Sequence, residues 1–208
     1  TLPPGRYYAT VTIGKGSATT GFEVKVAETT EKSVVIGVGY ARLTAVPEEG
    51  AEPYKDSCSW YVYPVDADGS PAERHIDVNY YNPSGTFTLP PGRYQAVLTI
   101  GKGSATTEFE VKVAETTEKS VVVGVGYAKL TAVPEEGAEP YEDSCSWYVY
   151  PVGADGSPTE QHIDVNYYNP SGMFILPPGR YHAIISIGKG RATTEFEVKV
   201  AEITEKSV

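Results

Sequence analysis

Asp66-Ala67-Asp68-Gly69-Ser70 gathers oxygen donors of the kind a hard divalent cation needs, and Asp66 and Asp68 are its candidate calcium ligands. The loop departs from the EF-hand pattern: its glycine stands fourth rather than sixth, and no glutamate occupies the twelfth place. Its second occurrence has replaced the first carboxylate with Gly153. A polar hairpin turn built from Asp and Gly accounts for the same residues. Ile100-Gly101-Lys102-Gly103-Ser104 has the lysine and hydroxyl of a phosphate loop but not the spacing, and it leads into a strand rather than a helix N-terminus. Gly37-Val38-Gly39 lacks the third glycine and the helix of a dinucleotide site. His75 and Asp77, like His162 and Asp164, stand two apart on an expected strand and share its face. Nothing sets Ser57 or Ser59 beside the imidazole as a nucleophile, so the pair reads as a solvated strand face. His182 has Gln95 and Tyr8 at its counterpart positions, so it forms no shared site. No catalytic set and no cofactor site is expected, and the chain reads as something other than an enzyme.

Two residue types remain. Cys58 alternates with Trp60 and Val62, which puts it in a core as a small apolar residue; the alternative, for Cys58 and Cys145 alike, is a disulfide between chains. With one cysteine per copy of the repeat described below, an immunoglobulin-type bridge within a domain is excluded. Tyr61 and Tyr63 lie opposite the Trp60 face, and Tyr80 and Tyr81 stand near turns. Their counterparts are Tyr148, Tyr150, Tyr167 and Tyr168. Outward tyrosines pair across strands, anchor a protein interface at low entropy cost or stack on sugar rings. Packing or self-association is preferred here over a glycan site. Asn82-Pro83-Ser84 is not a glycosylation acceptor, because its middle residue is proline. Lys112 alternates outward between Val111 and Val113, which argues against an internal Lys–Asn isopeptide bond.

The elements that must position these residues repeat. Leu2-Pro3-Pro4-Gly5-Arg6-Tyr7 returns at Leu89 and again at Leu176, and 89 − 2 and 176 − 89 both equal 87. Comparing residues 34–120 with 121–207 gives 14 differences, several of them charge changes such as Lys55/Glu142 and Arg74/Gln161 that mark exposed positions. Period-2 alternation runs through Tyr94, Ala96, Leu98 and Ile100, through Phe109, Val111 and Val113, and through Ile76, Val78 and Tyr80. Gly101-Lys102-Gly103-Ser104 marks a tight hairpin, and Pro134 to Pro140 an acidic loop. Short strands joined by turns predict an all-β protein of tandem antiparallel β-sandwich, Ig-like repeats of 87 residues. Boundaries near Ser33/Val34 and Ser120/Val121 make 34–120 and 121–207 full repeats, and 1–33 the C-terminal part of a preceding one. That part would expose Tyr7, Val11, Ile13, Phe22 and Val26 unless an upstream segment or another chain covers them. Lys119 to Leu130 reads as extended chain passing from one domain to the next, leaving little freedom between them. The start at Thr1 reads as processed or internal.

Composition narrows the partners. A net charge of −10 gives no electrostatic footing for nucleic acid, and no apolar run reaches about 18 residues, so no membrane insertion is expected. Leu-Pro-Pro-Gly-Arg-Tyr, two alternating strands, Val-Lys-Val-Ala-Glu and Ser-Trp-Tyr-Val-Tyr together resemble bacterial Ig-like or carboxypeptidase-regulatory-like β-sandwich repeats. That resemblance implies tandem domains of exported surface proteins, serving as stalks, adhesin arms or fibre subunits, and it brings no catalytic residues. The expectation is a structural segment of an extracellular, cell-surface bacterial rod or filament that self-associates through interdomain strands and lateral or strand-exchange contacts. The alternative is an adhesin-type module holding a glycan or protein ligand.

Overall fold

The alternating segments fall on strands, with Cys58, Ile76 and Val113 just outside their ends, and the computed structural model, which describes residues 1–208, contains no helix. β1 (Gly5–Ile13) and β2 (Gly16–Val24) make an antiparallel hairpin with Ile13 opposite Gly16 at its closed end. The same hairpin recurs as β7 (Gly92–Ile100) with β8 (Gly103–Val111), and as β14 (Gly179–Ile187) with β15 (Gly190–Val198). Each is closed by a Gly-Lys pair whose glycine has φ of +55°, +52° and +55° at Gly14, Gly101 and Gly188. A two-residue hairpin loop takes this left-handed conformation at its first position, and glycine adopts it without a Cβ penalty.

The second and third hairpins extend into four-stranded sheets. One has the order β5 (Asp77–Tyr80), β4 (Ser59–Pro64), β7, β8; the other β12 (Asp164–Tyr167), β11 (Cys145–Pro151), β14, β15. Each is accompanied by a three-stranded sheet. The orders are β6 (Ser84–Leu89), β3 (Gly39–Val46), β9 (Thr116–Val122), then β13 (Ser171–Leu176), β10 (Gly126–Thr131), β16 (Ile203–Ser207). In the later set the two sheets close on one core. Leu130, Phe174 and Leu176 come from one sheet, and Trp147, Val149, Ile185 and Val198 from the other. The earlier set buries the counterparts, including Leu43, Trp60, Val62, Phe87 and Leu98. Trp60 and Trp147 are both 0% exposed, and truncating such a residue to alanine costs about 3–5 kcal/mol.

The recurring Leu-Pro-Pro-Gly-Arg-Tyr has a local structural job. The hydroxyls of Tyr7, Tyr94 and Tyr181 each donate at 2.8 Å to the carbonyl four residues back, at Pro3, Pro90 and Pro177. Their rings stack on Phe22, Phe109 and Phe196 at 5.6–5.8 Å between centroids. The motif thus ties the turn to the first strand of each hairpin.

Three expectations need correction. Pairing is not wholly antiparallel: β16 runs parallel to β10, with Tyr127 opposite Ile203. The Lys199–Glu202 turn delivers the chain there, bonding Ala201 N–H to Val125 O and accepting Tyr127 N–H at Glu202 O, both at 2.9 Å. Gly126 admits this approach, because a Cβ on it would stand 1.9 Å from the Lys199 carbonyl oxygen. The alternation at Val78 and Tyr80 faces outward, since the β4–β5 register sets Val78 opposite Tyr61 and Asn79 opposite the buried Trp60. Val113 lies beyond the end of β8 and is exposed.

The backbone separates into two compact units. The first comprises Thr1–Thr44, Ser59–Val97 and Thr106–Val121, and the second Ala45–Cys58, Leu98–Ala105 and Val122–Val208. Each unit contains one place where a hairpin loop meets residues from the next 87-residue period.

Candidate functional site

The Gly-Lys-Gly loop, unconvincing as a phosphate site, is the plug of a joint. In the first unit, Lys15 N–H donates to Thr88 O at 3.0 Å and Lys15 Nζ lies 3.2 Å from Asp77 Oδ1. In the second, Lys102 N–H donates to Ile175 O at 2.9 Å and Lys102 Nζ lies 3.2 Å from Asp164 Oδ1. The partners are spaced as the plugs are, by 87 residues. The flanking glycines permit the contact. A Cβ on Gly14 would stand 2.4 Å from Thr88 O, and one on Gly101 would stand 2.4 Å from Ile175 O. A Cβ on Gly16 or Gly103 would come within 2.2 Å of Val38 Cγ1 or 2.1 Å of Val125 Cγ1. No side chain fits at these positions without moving the partner.

The second unit adds a hydrogen-bonded half that the first unit does not have. Tyr54 is 6% exposed, and its hydroxyl donates to Val123 O at 2.8 Å while lying 3.4 Å from Val125 N. Burial raises its pKa, partly offset by the Val125 hydrogen bond. Val123 N–H donates to Val46 O at 3.0 Å. Tyr127 donates from its hydroxyl to Asp56 Oδ2 at 2.5 Å. Burial first, and then that carboxylate, push the phenol well above its ordinary range. The extended chain at 123–127 is therefore gripped on one side by Tyr54 and Asp56 and on the other by the Gly101–Gly103 loop.

A second constellation lies on the outer face at β4 and β5. The rings run Tyr63, His75, Tyr61, Tyr80, Tyr81, each 5.8–6.0 Å from the next between centroids. The later copy repeats the row as Tyr150, His162, Tyr148, Tyr167 and Tyr168 at 5.9–6.1 Å. Edge-to-face aromatic pairs at such distances are favourable. Tyr81 and Tyr168 end the rows at φ of +63° and +67°, an uncommon conformation for a bulky residue, and Tyr81 is 82% exposed.

The chain matches no protein-family model and no curated protein. Among solved structures it is similar to the Bacillus anthracis TIE protein, at 20% identity and a TM-score of 0.36, covering 100% of this chain and 42% of that one. It is similar also to a streptococcal ancillary pilin, at 13% identity and a TM-score of 0.41, covering 99% of this chain and 76% of that one. A third is the shaft pilin SpaA from Lactobacillus rhamnosus GG, at 13% identity and a TM-score of 0.39, covering 82% of this chain and 97% of that one. This chain thus spans less than half the length of the first. Scores this low carry no argument about activity or assembly.

The remaining sequence candidates find local explanations. Asp68 Oδ1 accepts Ser70 N–H at 2.9 Å and Asp66 O accepts Gly69 N–H at 3.0 Å, which makes their loop a self-bonded turn. No group of three or more His, Cys, Asp or Glu is placed to hold a metal ion. Cys58 and Cys145 are both free and buried, so a disulfide between chains would require that interior to open. Burial, and next the nearby Asp56, raise the Cys58 thiol from 9.0 to about 11. His75 precedes β5 rather than lying on it, and it joins the aromatic row instead of standing alone. Asp77 faces Lys15 and not an imidazole.

Proposed function

We propose that the chain is a structural segment of an extracellular bacterial repeat array, a rod or filament of the cell surface. In this reading 34–120 and 121–207 are successive β-sandwich repeats, and 1–33 belongs to a preceding one. The observation that carries it is the duplicated joint: two loops 87 residues apart make the same backbone bond and the same ion pair with partners 87 residues apart. A contact that recurs at the sequence period can propagate along an array by nearest-neighbour coupling. The aromatic rows would supply lateral contacts between such rods. A second reading, an adhesin-type module, is favoured by the outward setting of Tyr81 and Tyr168, where a sugar ring or protein surface could stack.

Small-angle scattering of the full chain tests the structural reading. A single, narrowly distributed maximum dimension is expected, broadened when Tyr54→Phe and Lys102→Glu loosen the joint. A native chain that already scatters as freely hinged domains would sink it. The two readings part on the aromatic row: Tyr81→Ala should reduce side-by-side association seen by electron microscopy if the row is lateral, and reduce glycan-array binding if it is an adhesin surface.

A further inference from the structure

The first and last strands of each copy are adjacent and parallel. In 34–120 they are β3 and β9, neighbours in one sheet. Their contacts climb both strands in the same direction. Tyr40 N–H donates to Glu115 O at 2.8 Å, Arg42 Nη1 lies 3.1 Å from Glu118 Oε1, and Val123 N–H donates to Val46 O at 3.0 Å. In 121–207 the pair is β10 and β16, with Tyr127 opposite Ile203, Thr131 opposite Ser207 and Lys129 Nζ 3.1 Å from Glu205 Oε1. The chain therefore enters at one end of each pair and leaves at the other. It passes from β9, ending at Val122, straight into β10, starting at Gly126. Strands β4 to β8 are strung between the two members of the first pair and lie outside that direct path.

We infer that each parallel pair is a tension-bearing clamp, and that a further function of the array is to carry mechanical load along the chain. This deepens the structural-array reading and rests on it. Tension on an array pulls β3 toward its N-terminal end and β9 toward its C-terminal end. In a parallel pair those pulls oppose each other along the strand axis, so the ladder is sheared and its evenly spaced bonds resist together. An antiparallel first and last strand would instead be opened from one end, bond by bond. Side chains add ties across the load. Thr117 Oγ1 donates to Glu110 O at 2.6 Å and Lys119 Nζ to Glu108 O at 2.7 Å, fastening β9 to β8. Thr204 Oγ1 repeats the first tie on Glu197 O at 2.7 Å. Past β9 the load enters 123–125, where the Tyr54 hydroxyl holds Val123 O, so the grip of the joint acts on loaded chain. The aromatic row at β4 and β5 bears no tension until the pair parts.

Single-molecule force spectroscopy of the full chain tests the clamp, with one handle at the C-terminal end and the other on an introduced cysteine. Cys58 and Cys145 are buried and do not compete for the handle. Val35→Cys, at an 88% exposed position before β3, loads both pairs in shear, and two long-lived unfolding events of similar size are expected. Glu48→Cys, in the exposed loop after β3, puts both pulls on the same end of the β3–β9 pair and leaves β10–β16 in shear. One event should then shorten in lifetime at fixed load by about tenfold or more, because bonds worth about fivefold each now break singly. The other event should not change. Glu115 O and Val123 N–H both face β3, so alternate residues between them, Lys119 included, face it too. Lys119→Pro removes that N–H from an edge strand and, pulled through Val35→Cys, should shorten one event by about fivefold. Events indifferent to the change of handle overturn the inference, as does low-force opening of both copies from Val35→Cys. Scattering reads the rod separately: handle-indifferent events in a chain of narrow maximum dimension remove the clamp and leave the rod, whereas a freely hinged chain whose events follow the handle removes the rod and leaves the clamp.

Discussion

The Gly101–Gly103 end of the earlier copy and the Gly188–Gly190 end of the later one have nearly the same sequence and different surroundings. Ile100 is 1% exposed, whereas Ile187 is only half-buried; Tyr54 is buried and Tyr141 half-buried. The core beneath is equally buried: Cys58 and Cys145, Trp60 and Trp147, are enclosed alike. The end of each sandwich therefore carries apolar and hydrogen-bonding groups that its own core does not use. They are satisfied by the chain of the next period. That asymmetry lets the same substitution be tried twice in one molecule, once at a closed joint and once at an open one.

The largest contrast should come from Gly101→Ala against Gly188→Ala. Both force a side chain into the left-handed region, at about 1–2 kcal/mol. At Gly101 the Cβ also meets Ile175, and overpacking adds about 1–3 kcal/mol. Urea denaturation should show the difference; equal losses would mean the closed joint adds nothing to stability. Next is Tyr54→Phe, which strips a donor from the buried Val123 carbonyl and should cost about 1–3 kcal/mol, while Tyr141→Phe stays near zero.

Alkaline pH sharpens the comparison through Cys58. Its folded pKa, about 11, lies above the ordinary 9.0, so the folded state holds the thiol proton more tightly than the unfolded chain. The associated stability is complete below pH 9 and declines as pH climbs toward 11. A Cys58→Ala chain should show a shallower decline over that window than the native chain in a pH series of denaturation curves. The smallest effect belongs to Lys102→Ala. Its ammonium is well exposed, so the Asp164 pair is worth less than about 1 kcal/mol and should fade in high salt, with Lys189→Ala silent.

Much of this was legible before any coordinates. The 87-residue period, the hairpin at Gly101-Lys102, the inward Trp60 and the outward Tyr61 follow from alternation and turn chemistry, which are local. The joint was not legible, because Tyr54 and Val125 are 71 residues apart and nothing near either one announces the other. In the sequence Lys102 reads as part of a hairpin turn whose spacing fails a phosphate loop; its carboxylate partner becomes visible only when the fold brings Asp164 beside it. The parallel β10–β16 pairing was hidden for a related reason, since alternation fixes which face is apolar but not strand direction. At β5, alternation misleads outright: Val78 lies opposite Tyr61 on the outer face and Tyr80 continues the aromatic row there, while Asn79 takes the inward position opposite Trp60.

Amide hydrogen exchange at the three loop lysines tests the coupling of successive copies most directly. Lys15 and Lys102 donate their backbone N–H to carbonyls of the next period, at 3.0 and 2.9 Å, whereas Gly188-Lys189-Gly190 is open. In this 208-residue chain Lys15 and Lys102 should be protected and Lys189, whose loop donates to no such carbonyl, close to free exchange. Equal, fast exchange at Lys102 and Lys189 would contradict a joint built on this loop.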